Sequence, residues 1–208
     1  MSARDLVIGS FNLGKVGEVR DTLKDLSLTI RYLPDFPTIF PVPETAHTYS
    51  ENAILKAKGY AGQTRLLTLA DDSGLEVDAL GGRPGVFSAR FGGADASDND
   101  RINLLLEELA DRAPVERTAR FVCYMALARS PQSGTDPEVL TLVEGSCEGT
   151  IANAPAGTNG FGFDPVFIPQ GYTQTFAELP NEVKARISHR AKALAQIRTF
   201  LNDWLSVA

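Results

Sequence analysis

The chain has 208 residues, 43% of them hydrophobic and 22% charged, with a formal net charge of −6. This balance excludes a disordered or fibrous chain. The acidic excess argues against a broad nucleic-acid footprint but leaves room for a small polyanion gripped by a local cation cluster. No apolar run approaches the roughly 18–20 residues that cross a bilayer, and the opening MSARDLVIGS is too short in apolar residues for a signal peptide. Cys123 and Cys147 give neither a disulfide framework nor a metal-finger spacing. A cytoplasmic protein with no membrane and no nucleic-acid partner is expected.

In chain order, Leu6-Val7-Ile8 predicts a strand. The turn-like Asn12-Leu13-Gly14-Lys15 follows, then a helix with Val16, Val19, Leu23 and Leu26 on one face. Leu33 to Pro43 holds four prolines and reads as loop. Thr48 caps a second predicted helix whose stripe is Tyr49, Ala53, Ala57 and Tyr60. Leu66 to Ala70 predicts a short strand emptying into Asp71-Asp72-Ser73-Gly74. Ile102, Leu105, Leu106 and Leu109 mark another helix. Alternation from Ala119 to Leu127 predicts a long strand, with Val139 to Val143 its antiparallel neighbour across Pro131-Gln132-Ser133-Gly134. Leu194, Ile197, Leu201, Trp204 and Leu205 predict a last helix that Ser188 can cap. Parallel units early and a hairpin later indicate an α/β protein with a mixed sheet, and the length allows one large domain over residues 1–208 or two lobes sharing a core.

Four segments could carry chemistry, and each has a plainer reading. Ser10 to Lys15 sets backbone N–H groups and one ammonium at a helix start, where an anion can sit; it is also an ordinary strand-to-helix turn. Asp71 and Asp72 follow an apolar strand, where carboxylates can hold Mg²⁺ or orient a water; Asp-Asp-Ser-Gly is equally a good turn. Extended neighbours point to opposite faces, so at most one of the two would serve a given site unless the turn intervenes. Gly160 to Pro165 offers Phe161 and Phe163 for stacking, Gly162 for close approach, and Asp164 to accept from a base N–H; it can also be a buried bend. Lys184, His189 and Arg190 are donors for phosphate or a base oxygen, or solvated charge. Neither His47 nor His189 has metal-ligand spacing, and zinc is not expected. Together the four form a nucleotide kit.

The ordered motifs resemble those of the inosine triphosphate pyrophosphatase family. They are Ser10-Phe11-Asn12-Leu13-Gly14-Lys15 with Glu18, and Glu44-Thr45 followed by Thr48-Tyr49-Ser50-Glu51-Asn52-Ala53. The stretch Ala70 to Gly82 comes next, with Pro84-Gly85, Ser88-Ala89-Arg90, Gly160 to Pro165, and Ile187-Ser188-His189-Arg190. The likeness runs over nearly the whole chain. It implies hydrolysis of ITP, dITP and XTP to the monophosphate and pyrophosphate. It also implies Mg²⁺ dependence, a homodimer, and an elongated sheet flanked by helices in two lobes with the site in a cleft between them. By position, Asp72 takes the catalytic-base and metal role and Glu44 the second metal carboxylate. Ser10, Phe11, Asn12, Leu13, Gly14 and Lys15 fall on the phosphate-binding turn, and Ser73 on a substrate position. Phe161, Gly162, Phe163, Asp164, Lys184, His189 and Arg190 fall on base and substrate contacts. Phe11 stands where members often carry a small residue, and Phe163 where Tyr or Trp is usual.

Overall fold

Branched and apolar residues build a six-stranded sheet in the order β2-β1-β3-β4-β5-β6. The computed structural model describes residues 5–130 and 136–207, so the turn read at Pro131-Gln132-Ser133-Gly134 lies outside the described residues. The strands are β1 (Asp5–Ile8), β2 (Thr29–Tyr32), β3 (Leu67–Val77), β4 (Thr118–Arg129), β5 (Glu138–Ile151) and β6 (Phe167–Pro169). β1 runs parallel to β2 and β3, whereas β5 and β6 are antiparallel, which makes the sheet mixed as expected. The helices are α1 (Leu13–Leu23), α2 (Tyr49–Thr64), α3 (Asp98–Glu108), α4 (Asn181–Ile187) and α5 (His189–Val207). Among the described residues no helix is long and apolar enough to cross a membrane.

The chain divides into two compact units. One takes the described residues within Met1–Asp72, Cys123–Glu144 and Arg190–Ala208; the other takes Ser73–Val122 and Gly145–His189. In the first, Leu6 and Ile8 of β1, Leu67 and Leu69 of β3, and Cys123, Met125 and Leu127 of β4 bury one face. Val19 and Leu23 of α1 and Leu194, Ile197 and Leu201 of α5 cover it. A second cluster there is made of alanines: Ala53, Ala57 and Ala61 of α2 meet Ala70, Ala126 and Ala128. Methyl-sized contacts let the α2 backbone lie close to β3, which brings polar side chains of the same helix face within reach of that strand. The second unit packs Leu75, Val77, Leu105, Phe121, Phe167 and Phe176 into its own core.

Two expectations change. β3 does not end at Ala70; it continues through Asp71-Asp72-Ser73-Gly74 to Val77. The turn preference of these residues is overridden because both carboxylates are held by side chains and the apolar pattern resumes at the buried Leu75 and Val77. The turn-like Asn12 to Lys15 is the start of α1 itself, with Asn12 as its cap. The half-exposed β2, the three-residue β6 and the seven-residue α4 are additional elements that carry no strong period.

Candidate active site

The first unit holds most of the candidate chemistry. Asn12 caps α1 by accepting from the Lys15 N–H at 3.1 Å, and its own N–H donates to Ser10 Oγ at 3.1 Å. Leu13 is 82% exposed and Phe11 is half exposed, with its ring edge-on to Tyr60. The Lys15 ammonium turns toward the sheet and pairs with Asp71 Oδ2 at 2.9 Å. Arg190 sits on the other side of that carboxylate, with Nε 3.5 Å from Asp71 Oδ2 and Nη1 2.6 Å from Glu18 Oε2.

Asp71 and Asp72 therefore serve different partners, as adjacent residues of a strand should. Burial disfavours the Asp71 anion, but Lys15, Arg190 and Lys56 outweigh it and hold the carboxyl well below the usual carboxylate range. Burial also opposes the Arg190 cation, yet Asp71 and Glu18 raise its pKa further. This guanidinium is only 2% exposed. It anchors two carboxylates and is not solvated charge.

Asp72 is 5% exposed. Its Oδ2 accepts from Asn52 Nδ2 at 3.1 Å, and its Oδ1 lies 3.4 Å from Lys56 Nζ. The same ammonium is 2.6 Å from Glu44 Oε1, so two carboxylates converge on one cation. Burial pushes the Asp72 carboxyl up and Glu44 adds to the rise, against the pull of Lys56, Lys15 and Asn52. Burial disfavours the Lys56 ammonium, but Asp72, Asp71 and Glu44 raise its pKa. A buried carboxylate of raised pKa beside a second carboxylate is a proton acceptor suited to activating water.

The proline-rich segment carrying Glu44 is fixed along one face of α2. Gln63 exchanges hydrogen bonds with the Phe40 backbone at 2.7 and 3.0 Å. The Tyr60 hydroxyl accepts from the Val42 N–H at 3.2 Å. Lys56 takes Glu44, and Asn52 pairs with the Ala46 backbone at 3.0 and 3.3 Å. Helix residues 63, 60, 56 and 52 thus meet segment residues 40, 42, 44 and 46 in turn. Gly59 completes the fit, since a Cβ there would sit 2.5 Å from Val42 Cγ2.

The second unit holds the remaining candidates. Asp164 is buried; it accepts from Phe161 N at 2.8 Å and from Lys184 Nζ at 2.5 Å. The Lys184 ammonium also lies 4.7 Å from the Phe161 ring centroid. Gly160 has φ +78°, and a Cβ on it would run into the Asp164 carboxylate, so this bend requires glycine. Gly162 donates its N–H to Asp98 Oδ2 at 2.8 Å. Phe161 is half-buried, whereas Phe163 is 4% exposed and packs in the core 6.4 Å from Phe91. The two rings expected to form one stacking face therefore differ: Phe161 is accessible and Phe163 is core. His189 is buried with its ring stacked 4.7 Å from Phe121. Ser73 is half-buried.

Sequence reading carries Asn52 only as part of a motif and Asp71 only as the neighbour of Asp72, and assigns neither a partner. A signal existed. Asn52 and Lys56 lie beside the apolar stripe of α2 at a spacing of four, so they share its buried side.

Two carboxylates, Glu44 and Asp72, thus share the Lys56 ammonium in the unit that also holds the Asn12-capped start of α1. The chain belongs to the Ham1 family, whose model matches residues 6–200. It is 42% identical over 201 residues to a dITP/XTP pyrophosphatase of Bacillus anthracis, covering 97% of this chain and 98% of that one. It is 47% identical over 200 residues to a dITP/XTP pyrophosphatase of Exiguobacterium sibiricum, covering 96% and 98%. The solved structure of a HAM1 protein from Coxiella burnetii superposes with a TM-score of 0.85 at 40% identity, covering 96% of this chain and 98% of that one.

Proposed function

We propose that this chain hydrolyses non-standard purine nucleoside triphosphates (ITP, dITP and XTP) to the nucleoside monophosphate and pyrophosphate. The observation that carries the reading is the convergence of Asp72 and Glu44 on Lys56, in a chain like dITP/XTP pyrophosphatases along nearly its whole length.

The donor set fits Mg²⁺. Two hard carboxylate oxygens already gather around one positive charge, and Mg²⁺ usually binds through one or two carboxylates with phosphate oxygens and water completing its shell. Among the described residues no group of three or more His, Cys, Asp or Glu gathers as a metal site, so Glu44 and Asp72 would hold the ion together with the substrate. When bound, Mg²⁺ offsets phosphate charge and makes a coordinated water more acidic.

The side chains supply the rest. Asp72 accepts the proton from the attacking water at its carboxylate, and its raised pKa suits that task. Lys15, at the start of α1, exchanges part of its hold on Asp71 for phosphate oxygens, and Lys56 balances charge beside the two carboxylates. Asp71 and Arg190 keep Lys15 and Glu18 in place. For the base, Phe161 is the proposed stacking ring and Lys184 and His189 are the proposed donors to its oxygens. Deaminated purines carry an acceptor oxygen at C6 where adenine carries an amine, so a donor-lined site rejects adenine by leaving donors unpaired. The enzyme acts as a single cytoplasmic catalytic domain in a homodimer.

Pyrophosphate release from ITP, XTP, dITP, GTP and ATP, with and without Mg²⁺, tests this reading. ITP and XTP are expected to exceed ATP in kcat/KM by roughly four orders of magnitude, the discrimination available to a site built on such hydrogen bonds. Equal rates for ATP and ITP, or orthophosphate as the product, would remove it.

A further inference from the structure

Asn52 is fully buried at the first turn of α2, and its side-chain amide has no contact with solvent. One Nδ2 hydrogen serves Asp72 Oδ2 at 3.1 Å and the other serves the Ala46 carbonyl at 3.3 Å. Its Oδ1 accepts from the Ala46 N–H at 3.0 Å. Turning the amide over would set its oxygen against a carboxylate and a carbonyl, and its NH₂ against an N–H. All three bonds would be lost, so the orientation is fixed by its partners.

The consequences reach both carboxylates. A carboxylate swings about its terminal torsion unless one oxygen is tied. With Oδ2 held by Asn52, Oδ1 of Asp72 stays toward Lys56, where Glu44 Oε1 also lies. The bonds to Ala46 fix the backbone two residues beyond Glu44. Lys56 also links the two carboxylates, but its 3.4 Å reach to Asp72 is long, and a bound cation competes with it for the same oxygens. Asn52 binds the opposite oxygen and does not compete.

We propose that Asn52 is a positioning residue for the metal site. Its single amide holds Asp72 and the Glu44 segment in the arrangement that receives a divalent cation. This rests on the reading of Glu44 and Asp72 as the metal carboxylates. Asn52 acts through them and touches neither the substrate nor the ion.

The test uses Asn52→Leu, branched alike at Cγ but bulkier and unable to hydrogen-bond, and Asn52→Ser, smaller and polar, so that one remains should the other fail to fold. Mn²⁺ affinity is read by electron paramagnetic resonance in the presence of a non-hydrolysable α,β-imido analogue of ITP. The half-saturating Mg²⁺ for ITP turnover is read beside it. Asp72→Asn and Glu44→Gln serve as references, and Leu201→Ala as a destabilised control distant in function. Both Asn52 variants are expected to weaken Mn²⁺ binding and raise the Mg²⁺ requirement by about 10-fold or more, the usual cost of losing a group that orients a metal ligand. KM for ITP at saturating Mg²⁺ should stay within about threefold, because uniform substrate binding is untouched. Wild-type metal affinity in the Asn52 variants, with loss in Asp72→Asn and Glu44→Gln, overturns the inference. So does an equal metal defect in Leu201→Ala, which would assign the effect to lost stability. Unchanged affinity in Asp72→Asn and Glu44→Gln instead overturns the reading beneath it.

Discussion

Asp71 and Asp72 are consecutive in β3 yet turn their carboxylates to different lysines, Asp71 to Lys15 at 2.9 Å and Asp72 to Lys56 at 3.4 Å. Their surroundings also push their pKa values in opposite directions, down for Asp71 and up for Asp72. The fold stabilises the Asp71 anion and disfavours the Asp72 anion. On the proposed reading of Asp72 as the base, this separation leaves Asp71 the structural part and Asp72 the chemical one.

The pair predicts opposite stability effects. The Asp71 pKa is lowered by folding, so its contribution is fully present above the ordinary value near 3.8 and is lost as pH falls toward the lower native value. Asp71→Asn should cost about 3–5 kcal/mol at neutral pH, the range for breaking a buried ion pair, because Arg190 and Lys15 lose their shared anion. It should also flatten the acid limb of the stability curve. The Asp72 pKa is raised, so folding favours its protonated form below about 3.8 and that benefit is gone once pH rises through the native value. Asp72→Asn should therefore melt no lower than wild type at pH 7. Thermal unfolding of both variants from pH 3 to pH 8, compared with wild type, checks the signs.

Gly59→Ala should loosen the segment that bears Glu44. Its Cβ would press on Val42 and must displace that side chain, an overpacking cost of about 1–3 kcal/mol. The displacement is passed two residues along to Glu44, so the Mg²⁺ requirement should rise together with the drop in Tm. Calorimetry paired with a Mg²⁺ titration of turnover reads both.

The two phenylalanines of the Gly160–Asp164 bend should separate cleanly. Phe163→Ala empties a core position and should cost about 3–5 kcal/mol. Phe161→Ala should cost about 1 kcal/mol, since its ring is half-buried and its cation–π partner Lys184 keeps Asp164. Its KM for ITP should nevertheless rise by about 10-fold from lost stacking. Denaturant unfolding with steady-state kinetics distinguishes the two, and equal stability losses would contradict the assignment.

Both cysteines should resist thiol reagents in the native protein. Cys123 and Cys147 are buried, and burial together with the Asp71 carboxylate pushes the Cys123 thiol far up, so almost none is thiolate at pH 8. Labelling with a disulfide exchange reagent should be slow before guanidinium is added and should reach two thiols per chain after it. Fast native labelling would show that β4 or β5 opens readily.

Much of this is legible in the sequence itself. The stripe Tyr49-Ala53-Ala57-Tyr60 and the Thr48 cap located α2, because an amphipathic period and a hydroxyl before it are local signals. The alternation from Ala119 likewise located β4. The course of β3 was not legible, since Asp71 to Gly74 are turn formers by local preference and only distant partners, Lys15, Lys56 and Arg190, keep them extended. The roles of Arg190 and Phe163 were hidden for the same reason. A charge after His189 and a ring between glycines read alike whether they face solvent, ligand or core. The α2 contacts at Phe40, Val42, Glu44 and Ala46 are legible only once the proline-rich segment is seen laid along the helix.

The most direct test is the rate of pyrophosphate release from ITP by Asp72→Asn under saturating Mg²⁺, measured on protein shown to be folded. A loss of at least about 100-fold in kcat is predicted, the scale of a positioned proton acceptor. Turnover near that of the wild type would contradict the assignment of Asp72 as the base and the chemistry built on it.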